Sequence, residues 1–350
     1  MVCYKDGDIN RGGFRFLCND IICIDFCVEN YPYDKYINDV VEYINENCIS
    51  KIFINSSIST KIDISFLHKL NYVEEIRITA DCINLEPLAS IKPKILRLHL
   101  QEYPIDFNTI SENLEELWLF SFDSKYNKQA NLNTSILQCN KLHKLRISNF
   151  RQTDCDIIGR ISTLDELSLV DCLEKYLDYG WLSNLKNVKK LRLDGVKFES
   201  FNCLRIPSLT DLSISEVNIS TLSGIRSYVN LKNLEILYCK KLIDINELRD
   251  CANLRKLEIN CCKKIENYEC LRELKNLEGL ILGNCGNISS IKFICDMPKL
   301  KFFSFVDTNI DDGDLTPCMR LEYAGTLNKR HYNMKAEDLP RKLNCAFSDL

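Results

Sequence analysis

The hydrophobic residues of this 350-residue chain recur in one short frame: an apolar position, two others, then two apolar positions separated by one. The clearest copy is LKNLEILYCKKL from Leu231, and related copies begin at Leu254 and Leu277. Apolar residues two apart lie on one face of a β-strand, and the residue between them points to the opposite face. The frame therefore predicts a strand with one buried face.

The same frame repeats along most of the chain at a mean spacing of about 23 residues. One such strand cannot bury its apolar face alone, but stacked copies build one continuous core and one long parallel sheet. The short segments between strands, such as INELRDCAN, predict helical or 3₁₀ turns on the convex side. The copies begin at Ile49, Val73, Ile95, Leu114, Leu142, Leu164, Val188, Leu209, Leu231, Leu254, Leu277 and Leu300.

The frame L-x-x-L-x-[LI]-x-x-[NC]-x-[LI] resembles the leucine-rich-repeat family, and its period resembles the bacterial internalin-like and SDS22-like classes. The resemblance covers about residues 49–312. It implies an α/β solenoid, a horseshoe with a parallel concave β-sheet and short helical or 3₁₀ convex segments. It also implies a partner, usually a protein, on the concave face. Where the family most often places a buried Asn, several repeats hold a cysteine, which we expect to pack under the turn: Cys172, Cys239, Cys262 and Cys285.

The ends of the array predict caps, because open solenoid ends expose core. Residues 1–48 predict an N-terminal cap made of a strand and an amphipathic helix, 49–312 the repeats, and 313–350 a C-terminal cap and tail. Leu321 and Tyr323 continue the two-apart pattern for one shortened coil. The helix is predicted from apolar residues at i, i+3, i+4 and i+7: Ile37, Val40, Val41 and Ile44.

Composition narrows the class of protein. The 45 basic and 49 acidic residues give a net charge of −4, which does not favour nucleic acid or an acidic membrane surface. The first residues, MVCYKDGDIN, carry charges where a secretory signal has its apolar core, and no apolar run is long enough to span a bilayer. We therefore expect a cytoplasmic protein whose 19 cysteines are reduced thiols. The segment 309–332 resembles the closing segment of bacterial cytoplasmic repeat proteins.

Chemistry-bearing motifs are absent from the sequence. None of the four histidines stands in a zinc-binding pattern, and no nucleophile elbow or phosphate-binding glycine loop occurs. Carboxylate pairs such as Glu115 and Glu116 are adjacent on a strand, so they point to opposite faces and cannot flank one bond. The sequence therefore predicts a protein that is not an enzyme and that uses neither a metal nor a cofactor.

The middle position of each frame predicts one row of side chains across the concave sheet. The first half of this row is basic and aromatic, whereas Glu235 and Glu258 make the second half acidic. Strand faces in water are usually charged for solubility alone, so each arginine also has that simpler interpretation. Tryptophan has little reason to lie on such a face unless it is covered, by a partner or by the polar insertion FDSKYNKQANLN. In order, the predicted row is Phe53, Arg77, His99, Trp118, Arg146, Ser168, Arg192, Ser213, Glu235, Glu258, Ile281 and Ser304, with Arg97 in the neighbouring row and Phe120 two places beyond Trp118.

These features predict a non-catalytic, monomeric protein-binding module that receives a protein partner, with an acidic surface, on the N-terminal half of the concave face. The candidate binding residues are Phe53, Arg77, Arg97, His99, Trp118, Phe120, Arg146, Arg192, Glu235 and Glu258. One specific hypothesis is an immunity-type protein that neutralises a bacterial toxin. The alternative is an effector or regulator acting on a host or signalling protein. A nucleic-acid binder is less favoured because the net charge is negative.

Overall fold

The computed structural model describes residues 14–18, 21–26, 33–56, 61–100, 106–110, 112–121, 132–342 and 347. The chain divides into two compact units, residues 1–165 (unit one) and 166–350 (unit two). In both units, short strands lie side by side in chain order, and turns or short 3₁₀ helices connect them. This is the architecture that the repeated frame predicts.

Unit one contains a sheet in the order β1 to β7. Its first two strands are antiparallel, and every later strand is parallel to the one before it. The predicted helix of the N-terminal segment is present, and Ile37, Val41 and Ile44 on its apolar face are buried. The strands are β1 (Phe14–Cys18), β2 (Ile21–Phe26), β3 (Lys51–Ser56), β4 (Glu75–Thr79), β5 (Ile95–Leu100), β6 (Glu116–Ser121) and β7 (Lys144–Phe150); the helices are α1 (Tyr33–Glu46), α2 (Leu88–Ile91), α3 (Gln152–Ile158) and the 3₁₀ turns Ser65–Lys69 and Thr134–Gln138.

Unit two contains a fully parallel sheet and a small second sheet in which β14 pairs with β16. Most connections contain 3₁₀ turns, as the sequence predicts for the convex segments: Gly180–Asn184, Phe201–Cys203, Ile225–Ser227, Asn246–Asp250, Glu269–Glu273, Lys292–Asp296 and Thr316–Arg320. A further 3₁₀ turn, Ala336–Asp338, follows the last strand. The strands are β8 (Glu166–Cys172), β9 (Lys190–Asp194), β10 (Asp211–Ser215), β11 (Asn233–Leu237), β12 (Lys256–Asn260), β13 (Gly279–Gly283), β14 (Gly286–Ile288), β15 (Phe302–Ser304), β16 (Thr308–Ile310) and β17 (Tyr323–Gly325).

The frame residues form the core. Leu254, Leu257 and Ile259 have no exposed surface, and Leu257 aligns with Leu234 and Leu280 on the neighbouring strands. Full burial of such a side chain is worth about 1.5–3 kcal/mol, and each coil repeats it. Because every coil buries only one face of its strand, the opposite, open face of the sheet carries the alternate residues.

Two frames predicted from the sequence are wrong in register. Strand β5 pairs Leu96 with Ile76 and Leu98 with Ile78, so its coil starts at the buried Pro93 rather than at Ile95. In the segment ILRLHL, both Leu96 with Leu98 and Leu98 with Leu100 have the two-apart spacing of the frame. The first pair is the correct one, but its frame begins at a proline and not at an aliphatic residue, so the pattern did not indicate it.

The last strand carries the second error, because Ala324 has no exposed surface whereas Tyr323 stacks on Phe302 at the open face. The predicted core position at Tyr323 is therefore an open-face position.

A ladder of small hydrogen-bond donors replaces the buried asparagines. The Cys262 thiol lies 3.7 Å from the Ile236 carbonyl oxygen, and the Cys285 thiol lies 3.3 Å from that of Ile259, each one coil earlier. Thr308 continues the ladder, since its hydroxyl donates to the Leu282 carbonyl oxygen over 2.6 Å. Burial raises the pKa of the Cys285 thiol to about 11, so this thiol remains a protonated donor. The contacts support the structural interpretation of Cys262 and Cys285, and Cys239 is fully buried. The expectation is wrong for Cys172, which is half-buried at the end of its strand and contacts Glu174 of its own coil.

Candidate functional site

Five candidate residues of unit one belong to one ordered row on the open face, which we call the central row. Parallel pairing aligns Phe53 with Arg77, Arg77 with Arg97, Arg97 with Trp118, and Trp118 with Arg146. All five side chains are half-buried. The placement corrects the predicted row, because Arg97 stands where His99 was expected. The central row therefore has three arginines and two aromatic rings.

Two carboxylates hold Arg97 in place. Its guanidinium donates to Glu75 on one neighbouring strand over 2.5 Å and to Glu116 on the other over 2.9 Å. The side chains of both glutamates are little exposed, at 11% and 14%. An arginine fixed from both sides loses little further conformational freedom on binding, since its planar fork is already oriented. The sequence pattern does not assign this pairing, because the two glutamates lie on the strands on either side of Arg97.

Trp118 lies between two guanidinium groups. The guanidinium carbon of Arg97 is 4.4 Å from the centroid of the Trp118 ring, and that of Arg146 is 5.2 Å away. Both distances are within the range of a cation–π contact, which is worth about 0.5–2 kcal/mol depending on solvation. The tryptophan is therefore covered on the sheet by its own neighbours in the row. This explains how an indole ring is accommodated on a polar face.

A second row on the open face brings His99 and Phe120 beside Trp118. The two rings are stacked with centroids 4.7 Å apart, and Phe120 meets Trp118 edge-on at 6.0 Å. Arg146 also lies 4.9 Å from the centroid of the Phe120 ring. Burial, followed by the positive charges of Arg77 and Arg146, lowers the pKa of His99 below 6.5. His99 is therefore neutral at pH 7 and contributes an aromatic surface rather than a charge.

Arg77, the second residue of the row, has a buried donor. Its guanidinium carbon lies 5.9 Å from the centroid of the Phe53 ring. Its Nε atom is buried and has no hydrogen-bond acceptor within the described part of the chain. A buried donor without a partner costs about 1–3 kcal/mol, so Arg77 is held on the sheet at an energetic cost.

The other three candidates lie in unit two. The guanidinium of Arg192 is 3.3 Å from Asp194 on the same strand, so its charge is partly offset. Glu235 and Glu258 are directly paired on neighbouring strands. Burial, together with the nearby charge of Glu235, raises the pKa of Glu258 against the opposing effect of a hydrogen bond from Asn260. The predicted acidic segment is therefore a pair of carboxylates on neighbouring strands, of which Glu258 is partly desolvated.

The insertion that was expected to fold over the sheet, residues 122–133, lies outside the described residues except for its last two. Among the residues described, no group of three or more His, Cys, Asp or Glu side chains is placed to hold a metal ion. No described helix has the length and apolar character needed to cross a membrane.

Comparison with known proteins supports the fold and leaves the function open. No family model matches the sequence, and no curated protein matches it. Among solved structures, an internalin (InlF) from Listeria monocytogenes is 17% identical, with 83% of this chain and 93% of that chain covered and a TM-score of 0.54.

Two larger receptors have a similar fold. A TLR13–ssRNA13 complex gives 14% identity and a TM-score of 0.62 over 88% of this chain and 50% of that chain. The Drosophila Toll–Spatzle complex gives 13% identity and a TM-score of 0.52 over 91% and 55%. The chain thus spans about half the length of these two receptors. Together with the parallel repeats, these likenesses establish a leucine-rich-repeat solenoid fold.

Proposed function

We propose that the chain is a non-catalytic protein-binding module, and that unit one receives the partner on its central row and on His99 and Phe120. The observation that carries this proposal is Trp118 fixed between Arg97 and Arg146 at 4.4 and 5.2 Å. Tryptophan, tyrosine and arginine dominate the residues that contribute most to protein interfaces. Of the solved neighbours, Toll is seen in complex with the protein Spatzle, which is consistent with this use of the fold.

The partner that fits this surface presents carboxylates. The central row carries the positive charges of Arg77 and Arg146 in addition to that of Arg97, whose guanidinium is shared between two glutamates. Charge complementarity of this kind accelerates association and orients the partner more than it adds affinity. We further propose that the module acts as a monomer in the cytoplasm, in an immunity-type role against a bacterial toxin.

The test is capture of a partner from lysate of the source organism, followed by binding kinetics of purified variants. Trp118→Ala should weaken binding by about 2 kcal/mol or more, mainly through faster dissociation. Arg146→Glu should slow association and reduce its dependence on salt. Arg330→Glu reverses the same charge at an exposed position of unit two and serves as the control. If the Trp118→Ala and Arg146→Glu variants both bind the partner as tightly as the wild-type chain does, the row is only a solvated face.

The immunity-type role has its own test. A toxin encoded beside this gene should lose its toxicity when the chain is co-expressed, and Trp118→Ala should restore it. Toxicity unchanged by the wild-type chain would remove this role while leaving protein binding intact. Protection of cells by the Trp118→Ala variant would instead show that the role does not use the central row.

A nucleic-acid ligand is the second candidate function, because bases also stack on aromatic rings and arginine planes. One solved structure of similar fold supports this candidate, because TLR13 is in complex with ssRNA there. The net charge of −4 opposes it. Filter binding of single-stranded RNA across a salt titration decides the matter, since true binding must weaken steeply as salt rises.

A further inference from the structure

Two successive turns of unit two each carry a pair of exposed lysines. The first pair, Lys240 and Lys241, follows β11, and the second pair, Lys263 and Lys264, follows β12. Because the residues on either side of each pair point into the core, the lysine side chains project into solvent. These flanking residues are at most 4% exposed: Cys239 and Leu242 around the first pair, Cys262 and Ile265 around the second. We call the four lysines the lysine patch.

The two pairs lie side by side in neighbouring coils. Before the turns, Leu237 of β11 aligns with Asn260 of β12. After the turns, the Glu266 amide donates to the Ile243 carbonyl oxygen over 3.2 Å, and these two residues are as far apart in sequence as the aligned pair. The two turns are therefore equally long, and each lysine stands next to its counterpart in the other coil. Neighbouring strands are about 4.8 Å apart, so the lysine patch gathers four ammonium groups on a small surface.

The lysine patch has no counter-charge in the described part of the chain. None of its ammonium groups forms an ion pair or a hydrogen bond with a described residue. By contrast, the ammonium nitrogen of Lys190 is 2.8 Å from the Glu166 carboxylate, and that of Lys301 is 3.6 Å from the Glu278 carboxylate. Like charges at neighbouring positions repel one another, so the lysine patch weakens the folded state rather than stabilising it.

The fold does not require lysine in these turns. The coil before the lysine patch has Asn218 between the buried residues Val217 and Ile219, and the coil after it has Gly286 and Asn287 in the corresponding place. Neutral residues therefore complete the same turn in both neighbouring coils. The positive charge of the patch is accordingly available for contact with another molecule.

The surroundings of the lysine patch limit the size of an anionic ligand. Glu216 in the coil before it and Asp307 in the second coil after it are exposed, and both have a positive φ after their strands, as Tyr238 does after β11. A long polyanion that followed these turns would meet both carboxylates, whereas a short acidic segment would meet only the lysines. Tyr238 is 49% exposed, and its carbonyl oxygen accepts from the Lys240 amide over 2.9 Å, so an aromatic residue borders the patch. Tyrosine is enriched in protein interfaces.

We propose that the lysine patch is a docking surface for a short acidic segment of a protein partner, in which several aspartate or glutamate side chains lie close together. All residues of the patch belong to unit two, so this inference does not depend on the proposed use of the central row. Each exposed ion pair contributes little alone, but four together produce a measurable attraction. The charges also accelerate association, because they steer an acidic segment towards the patch.

The test measures binding of a fluorescein-labelled octaglutamate peptide to the full chain by fluorescence polarisation. All chains in this test carry Arg77→Gln and Arg146→Gln, so that the central row does not compete for the peptide. In the patch variant the four lysines of the patch are replaced by glutamine, and its affinity for the peptide should fall by about tenfold or more. The control variant has the same change in charge at four other exposed lysines of unit two, and it should keep the affinity. Its substitutions are Lys186→Gln, Lys189→Gln, Lys232→Gln and Lys292→Gln.

Acetylation of lysines in the wild-type chain, followed by mass spectrometry, provides a second measurement that needs no substitution. The octaglutamate peptide should slow acetylation of the lysine patch and leave that of the four control lysines unchanged. Circular dichroism checks that each variant in the polarisation test keeps its sheet.

Equal loss of affinity in the patch and control variants would overturn the proposal, because the attraction would then depend on net charge alone. Acetylation of the lysine patch that the peptide does not slow at low salt would also overturn it. If octathymidylate displaces the labelled peptide more effectively than unlabelled octaglutamate does, the patch binds nucleic acid and the proposal is wrong.

Discussion

The guanidinium carbon of Arg97 stands 4.4 Å from the centroid of the Trp118 ring, one strand away on the same row. The carboxylates of Glu75 and Glu116 hold this guanidinium from both sides. The two glutamates therefore fix the position of the arginine, and the arginine in turn restricts the position of the ring. A partner that docks on Trp118 meets a surface whose geometry exists before binding.

Replacing Arg97 by lysine should loosen Trp118. Lysine keeps the charge but lacks the planar group that stacks on the ring and reaches two carboxylates at once. The chain has two tryptophans, so a Trp181→Phe background leaves Trp118 as the single reporter. In that background Arg97→Lys should raise acrylamide quenching of the indole fluorescence. Arg192→Lys, in unit two, should leave it unchanged. Equal quenching with and without Arg97 would mean that the contact does not order the ring.

The assignment of the two strand faces predicts opposite effects at neighbouring positions. Leu257 is fully buried, so Leu257→Ala should lower the free energy of unfolding by about 2–5 kcal/mol. Glu258 lies on the open face, and Glu258→Gln should change it by no more than about 0.5 kcal/mol at pH 7. Urea denaturation of both variants measures the difference. Similar losses at the two positions would be incompatible with the strand's orientation.

The ladder predicts a cost for removing the Thr308 hydroxyl. This group donates to the Leu282 carbonyl oxygen and accepts from the Cys285 amide, at 2.6 and 2.9 Å. Thr308→Val keeps the shape but leaves both backbone groups unpaired, so it should cost about 1–3 kcal/mol. Hydrogen exchange of the Cys285 amide should accelerate in this variant. Thr308→Ser retains the hydroxyl and should keep the amide protected; loss of protection in both variants would contradict the assignment.

The Glu235–Glu258 pair predicts a dependence of stability on pH. The pKa of Glu258 is raised in the folded chain above its ordinary value of 4.5, mainly by burial. At a pH well below that ordinary value, the Glu258 carboxyl is protonated in both the folded and the unfolded chain, so it does not lower the free energy of unfolding. As pH rises through the raised pKa, the folded state disfavours the charge, so the wild type should lose stability relative to Glu258→Gln. Thermal unfolding between pH 4 and pH 8 tests the sign. If the wild type becomes more stable relative to Glu258→Gln as the pH rises, this account is contradicted.

Much of the candidate surface could be predicted from alternation alone. Arg77, Trp118 and Arg146 were placed on the open face because each stands between two apolar residues of a frame, and in the structure they align on the central row. Arg97 and His99 were exchanged because ILRLHL allows two registers. A shift of two residues preserves which face a side chain is on but changes its row, so periodicity cannot detect it.

The sequence by itself determined the repeat and the buried face of every frame strand except the last, because both depend on spacing within one coil. Only the tertiary structure decided what depends on neighbours from different coils. The two carboxylates on Arg97 and the Trp118 ring between two arginines join residues 19 or more positions apart. Strand register brings both sets together. The physical reason is that one strand's pattern fixes the face on which a side chain lies, whereas its neighbours on that face are fixed only when the coils stack.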